Sequence, residues 1–271
     1  MNTGICFFIR LKCLILHLNN SITQLLNYSI TQLTQLLIYT MSPVLLHIET
    51  STNVCSVALS EDSQCLFVKS NHEGMNHAAL LSVFIAEALE VLKSSGKKLD
   101  AIAVSSGPGS YTGLRIGVST AKGLCYGLDI PLIAVSTLEV LTVQALEIIE
   151  DKENALYCPM IDARRMEVYA AFYDAKGAIQ REISADIITS DSYAEILASQ
   201  PVYFFGNGAD KLKTTLTHPN AHFLDHLVPL AQNMIGFAEK AFAEKQFVDT
   251  AYFEPFYLKE FHTTAPKQKN P

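Results

Sequence analysis

From Val44 onward one order of elements runs twice along the chain, and that order restricts the fold more than any single motif. Val44–Thr50, Val54–Leu59 and Cys65–Lys69 read as three strands, from β-branched and apolar runs separated by small or polar residues. A helix follows over Asn76–Lys93, stopped at Ser94-Ser95-Gly96. Then come a strand at Leu99–Ser105, a helix at Thr112–Leu128, a strand at Pro131–Val135 and a helix at Leu138–Ile149. The charged stretch Glu150-Asp151-Lys152-Glu153-Asn154 marks a boundary, and a weaker copy of the same order begins after it. Strands are expected at Ala155–Ile161, Glu167–Tyr173, Ile179–Ile183 and Val202–Phe205. Helices are expected at Tyr193–Ala198, Ala209–Thr215 and Met234–Lys245. Strands mixed with helices in this order predict an α/β fold of two tandem βββαβα domains, 41–150 and 151–271, the second reduced.

The first forty residues do not belong to this pattern. They contain no Asp or Glu, and their only charges are Arg10 and Lys12. Ser21-Ile22-Thr23-Gln24-Leu25 returns as Ser29-Ile30-Thr31-Gln32-Leu33, a low-complexity repeat rather than a repeat of domain size. The charges sit inside the apolar stretch and no small-residue cleavage site follows, which argues against a secretory signal. No run of 18 apolar residues suits a membrane span. Residues 1–40 are therefore expected to be a dispensable extension, with a weak targeting segment as the other reading, and Met41 opens the folded part. The whole chain carries 20 basic against 27 acidic side chains, a net charge of −7. Such a chain is a poor stand-alone binder of nucleic acid, because phosphate affinity comes from clustered Lys and Arg. Six scattered cysteines without a CxxC pair suggest a reduced, cytoplasmic setting rather than a disulfide framework.

The turn after the fourth strand reads Gly107-Pro108-Gly109-Ser110-Tyr111-Thr112-Gly113-Leu114-Arg115-Ile116-Gly117. Its glycine spacing is one residue too long for the dinucleotide fingerprint, and the ending of a P-loop is missing. Two readings remain. The glycines supply backbone angles for a tight strand-to-helix turn, with Ser110 or Thr112 capping the helix; or the helix N-terminus binds an anion. Within that helix Gly113, Gly117 and Ala121 recur every four residues, although each glycine costs a helix about 1 kcal/mol relative to alanine. Another backbone must approach there, from the same domain or from another subunit. Helix Asn76–Lys93 is apolar almost all round, interrupted only by Ser82, Glu87, Glu90 and Lys93. One face suffices to cover a sheet. The surplus points to a partner helix, and the interface is expected at Leu80, Phe84, Ala88, Gly113, Gly117 and Ala121.

Three segments together resemble the TsaB (YeaZ) family: Ile48-Glu49-Thr50-Ser51, the Gly107–Gly117 run, and Met160-Ile161-Asp162-Ala163-Arg164-Arg165. Glu254-Pro255-Phe256-Tyr257-Leu258-Lys259 adds to the likeness, with Lys259 where that family usually has Arg. The resemblance implies an actin-like (ASKHA) fold and a non-catalytic scaffold or activating role. The process would be formation of the threonylcarbamoyl group (t6A) on adenosine 37 of tRNAs reading A-starting codons. The implied partners are a TsaD homologue, which carries the metal and transfers the group, and a TsaE homologue, an ATPase. A homodimer on the same patch is a further expectation, with tRNA reached only through the complex.

In the metal-bearing paralogue an HxxxH pair follows the strand that ends here near Val135. This chain has Thr137 and Leu141 at those places, and neither side chain can replace an imidazole ligand. No metal, cofactor or catalytic residue is therefore expected. His218, His222 and His226 are spaced by four, but Pro219 and Pro229 bracket them and no helical pattern fills the gap. His72 and His77 flank Gly74 in a loop. Cys55, Cys65, Cys125 and Cys158 sit among apolar residues and read as core thiols rather than nucleophiles. Glu49, Thr50 and Ser51, with Gly206 and Gly208 of the second half, mark the place of a vestigial nucleotide site; weak, partner-assisted nucleotide binding is the other reading. Two further function classes stay open beside the scaffold: a glycoprotease-like peptidase and a weak actin-like ATPase.

Overall fold

The computed structural model describes residues 42–74, 76–149 and 154–258. The expected extension 1–40, the boundary residues 150–153 and Lys259 lie outside the described residues.

Alternating apolar residues build the first sheet from β1 (Val44–Glu49), β2 (Cys55–Glu61), β3 (Gln64–Asn71), β4 (Ala101–Gly107) and β5 (Leu132–Ser136). Its order is β3-β2-β1-β4-β5. The β1–β2 and β2–β3 pairs are antiparallel hairpins, and β4 and β5 join in parallel. The parallel pairs need crossovers, which α1 (His77–Ser94) and α2 (Tyr111–Leu128) supply. Leu46, Ile48, Val57, Leu59, Ile102 and Val104 point to the side where Leu81, Phe84, Ala88, Val118 and Ala121 of these helices meet them. Leu45, Ala101, Ala103, Ile133 and Val135 point to the other side. There they pack on Val140 of α3 (Thr137–Ile148) and, beyond a 3₁₀ turn at Ala231–Met234, on Ala238 of α5 (Ile235–Ala243).

The second sheet repeats the plan. β6 (Leu156–Asp162), β7 (Glu167–Tyr173), β8 (Ile179–Ile187), β9 (Val202–Phe205) and β10 (Ala221–Leu224) lie in the order β10-β9-β6-β7-β8. Taking β6 as the counterpart of β1, this is the order of the first sheet. The fold is thus the actin-like arrangement of two halves, and the second is reduced as expected. The helix after β8 shrinks to α4 (Ala194–Ser199), and the one after β9 to a 3₁₀ turn at Asp210–Leu212. The missed element is β10. It falls in the bracketed histidine stretch, where four residues carry too little pattern to read. Helix α3 is shared: Leu138, Leu141 and Ala145 pack with Tyr157, Tyr173 and Phe205 of the second sheet, while Val140 faces the first. Among the described residues no helix is long and apolar enough to cross a membrane.

Candidate functional site: two closed turns and a helix layer

Glu49 ends β1, and the chain turns at once through Thr50 and Ser51, all three buried. The start of α2 is pressed onto this turn. Ser110 N–H donates to the Ser51 carbonyl at 2.7 Å, and the Ser110 hydroxyl caps α2 by accepting from Gly113 N–H at 3.3 Å. Thr50 Oγ1 donates to the Gly113 carbonyl at 2.8 Å. The glycines are explained by this approach. A Cβ would stand 2.4 Å from the Ser51 carbonyl oxygen at Gly109, 2.1 Å from the Thr50 carbonyl oxygen at Gly113, and 2.2 Å from Thr50 Oγ1 at Gly117. At the helix N-terminus the Ser110 N–H is taken by the Ser51 carbonyl and the Gly113 N–H by the Ser110 hydroxyl.

Inside the turn, Glu49 Oε1 accepts from Ser51 N–H at 2.6 Å and from the Ser105 hydroxyl at 3.1 Å. Its Oε2 has no partner among the described residues. Burial pushes the carboxyl up from 4.5 to about 7, against the pull of the hydrogen bonds from Ser51 and Ser105. On the same strand, burial pushes His47 down from 6.5 to about 3. The second-half turn is equally closed. Gly206 sits at φ 92°, a Cβ there would lie 2.5 Å from the Met160 carbonyl oxygen, and Gly208 N–H donates to that same oxygen at 3.0 Å. The five residues expected at a vestigial nucleotide site thus divide between two sealed turns, each pinned to the first strand of its half.

Thr137 and Leu141 are both fully buried. Leu141 lies under the second turn, its Cδ1 3.2 Å from where a Gly206 Cβ would be, within the apolar packing of the second sheet. The histidines spaced by four do not share a helical face. His218 Nδ1 accepts from Asn220 N–H in a turn, His222 stands on β10 beside Tyr203, and His226 has φ 65°. His77 is buried with Nε2 2.7 Å from the Thr52 carbonyl, whereas His72 is exposed against Ser70. Cys55, Cys125 and Cys158 are core thiols, and burial raises the first two to about 11, far from a thiolate at neutral pH. Cys65 departs from expectation: it is exposed, because β3 is an edge strand.

The expected interface needs correction. Phe84, Ala88, Gly113, Gly117 and Ala121 are buried within the chain, and half-buried Leu80 packs on the same core. They form the inner face of the helix layer. The outer face of α1 carries Ala79, Val83, Ala86 and Val91, with Val83 48% and Val91 39% exposed. On α2 the outer face holds Ser119, Gly123 and Gly127, and a Cβ added to either glycine would meet nothing within 4 Å among the described residues. Sequence reasoning missed these two. The signal was present: six residues separate Gly117 from Gly123, which turns about 240° around a helix, so the two glycine pairs cannot face one neighbour.

A family model described as TsaD, tRNA N6-adenosine threonylcarbamoyltransferase, matches residues 72–261. The tRNA threonylcarbamoyladenosine biosynthesis protein TsaB of Bacillus subtilis (strain 168) is 32% identical over 167 residues, covering 60% of this chain and 70% of that protein. TsaB of Escherichia coli (strain K12) is 36% identical over 132 residues, covering 48% of this chain and 54% of its own length. The solved structure of YeaZ from Pseudomonas aeruginosa superposes with a TM-score of 0.66 at 27% identity, over 80% of this chain and all of that one. Sequence and fold agree: the chain belongs to the TsaB (YeaZ) family, within the wider group described by the threonylcarbamoyltransferase model.

Proposed function

We propose that this chain is the non-catalytic scaffold or activating subunit of a cytoplasmic complex that forms t6A on tRNA. In this reading it docks on a TsaD homologue through the outer face of α1 and α2, with a TsaE homologue completing the assembly. A homodimer through the same face competes with that docking. The observation that carries the proposal is the open glycine pair Gly123 and Gly127. Each costs α2 about 1 kcal/mol relative to alanine, and nothing among the described residues requires them. A facing helix at close range gives them a reason. The exposed valines of α1, in the same helix layer, supply apolar area for that contact. Burial of Thr137 and Leu141 in the core speaks for a subunit that leaves metal chemistry to its partner. The closed turns speak against the peptidase and ATPase readings. A net charge of −7 suits a subunit that meets tRNA through the complex.

The test is a Gly123→Leu variant, assayed by light scattering with the TsaD homologue and by thermal melting alone. The monomer is expected to melt at or slightly above the parent temperature, since leucine fills open space and favours helix. Assembly is expected to weaken about tenfold or more, from an overpacking penalty of about 1–3 kcal/mol at the contact. Unchanged assembly with a fully folded variant would place the interface elsewhere.

A further inference from the structure

The hairpin between β6 and β7 turns through Arg164 at φ 72° and Arg165 at φ 49°. In this left-handed region a Cβ crowds the backbone, so glycine, asparagine or aspartate normally occupies it. The β2–β3 hairpin of the first half, at a different place in the fold, shows what a tethered left-handed pair looks like. There the left-handed pair is Asp62 and Ser63, and Ser63 is held by Glu239 through its N–H at 2.7 Å and its hydroxyl at 2.6 Å. Here the Arg164 N–H is held by Asp162 at 3.0 Å. Both arginines are exposed, and neither is in an ion pair among the described residues.

The neighbouring carboxylate is already engaged. Asp162 accepts from Arg164 N–H at 3.0 Å and pairs with Lys211, whose Nζ also donates to the Glu167 carbonyl at 2.7 Å. Glu167, on β7, is the other acidic residue near the tip. Exposed Asn207 accepts from Asp162 N–H through its side-chain oxygen at 2.9 Å, which leaves its NH2 as a further donor. Two exposed arginines with left-handed backbone and an exposed amide bonded to Asp162 thus stand at the end of β6. Strained positions of this kind cluster at active sites, ligand clamps and switch regions.

We infer that Arg164, Arg165 and Asn207 form a contact point for the phosphate backbone of an RNA, engaged when the chain sits in its complex. This rests on the function proposed above and assigns this chain its own share of tRNA contact. The guanidinium fork matches two phosphate oxygens at once, and such a contact adds affinity without reading sequence. Two arginines on a chain of net charge −7 give little binding alone. The rest of the RNA-binding surface comes from the partner.

The experiment uses the full chain assembled with the TsaD and TsaE homologues, and unmodified tRNA as the probe. Binding is followed by fluorescence anisotropy across about 50–200 mM salt. Two double variants are compared with the parent. Arg164→Gln with Arg165→Gln removes charge at similar size. Arg164→Asn with Arg165→Gly removes charge and relieves the backbone, so it stays folded and melts higher. Both are expected to weaken tRNA binding about tenfold, to flatten the logarithmic salt slope by about one to two, and to raise KM for tRNA while kcat holds. Unchanged affinity and slope in an intact complex would overturn the inference. So would loss of assembly with tRNA affinity retained, which would mark an acidic protein partner at the tip. If the parent complex forms no t6A, the proposed function fails instead. The same titration on the chain alone at low salt then decides the phosphate contact, which is overturned if parent and variants bind equally.

Discussion

Gly113→Ala is expected to destabilise the isolated chain by about 3 kcal/mol or more, and Gly117→Leu at least as much. The new Cβ at position 113 would stand 2.1 Å from the Thr50 carbonyl oxygen, which is main chain at the end of a central strand and cannot step aside. At position 117 it would stand 2.2 Å from Thr50 Oγ1. That hydroxyl can rotate, but only by giving up its 2.8 Å bond to the Gly113 carbonyl in a buried place, which adds the cost of unpaired polar groups. Gly117 at a subunit interface, as the sequence pattern led one to expect, would instead give a folded Gly117→Leu monomer that fails only to assemble. Gly123→Ala serves as the control on the same helix. With nothing within 4 Å it is expected to stabilise the monomer by about 0.5–1 kcal/mol. Urea unfolding of the three variants measures this. A Gly113→Ala protein with the parent midpoint would show that the turn is looser than its hydrogen bonds indicate.

The contrast between the two glycine pairs shows what periodicity can and cannot convey. A spacing of four says that Gly113, Gly117 and Ala121 share a face. It does not say whether that face looks at a sheet or at solvent, because a turn arriving from β1 and a helix arriving from another subunit demand the same small residues. The order of strands and helices was legible because each rests on a local period, two or 3.6, that its own residues carry. Most expected ranges agree with the elements to within a few residues. β10 was not legible, since four residues flanked by histidines take their strand character from pairing with Val202–Phe205 rather than from their own pattern. The absence of the imidazole pair at Thr137 and Leu141 could be read from identity alone. That Leu141 packs under Gly206 needed the fold. The left-handed Arg164 and Arg165 were in plain sight as a charged pair, but a φ angle leaves no mark in composition. Their significance depends on which carboxylates stand nearby and are already paired.

Glu49→Gln is expected to remove a pH dependence of stability that the parent carries between about pH 4.5 and 7. Burial raises the Glu49 carboxyl from 4.5 to about 7, so over that window the folded chain holds a proton that the unfolded chain has lost. The contribution is fully present below the unfolded value and is lost as pH rises through the folded one. A shift of this size corresponds to about 3 kcal/mol at most. His47, two residues earlier on β1, works in the other direction. Burial lowers it to about 3, so its contribution is present above 6.5 and is lost on acidification. The parent curve is the sum of two opposed slopes and looks deceptively flat between them, which makes the difference between variant and parent the informative quantity. Glutamine matches the protonated acid in shape. Its oxygen can keep the Ser51 and Ser105 donors, and its amide takes the place of Oε2, which has no partner among the described residues to lose. At pH 5 the two proteins are expected to unfold at nearly the same urea concentration. At pH 8 the variant is expected to be more stable by up to about 3 kcal/mol, because the parent then holds a carboxylate in a sealed turn. A gap of equal size at both pH values would mean that Glu49 is not the titrating group, and that the turn admits enough water to keep its carboxylate charged throughout.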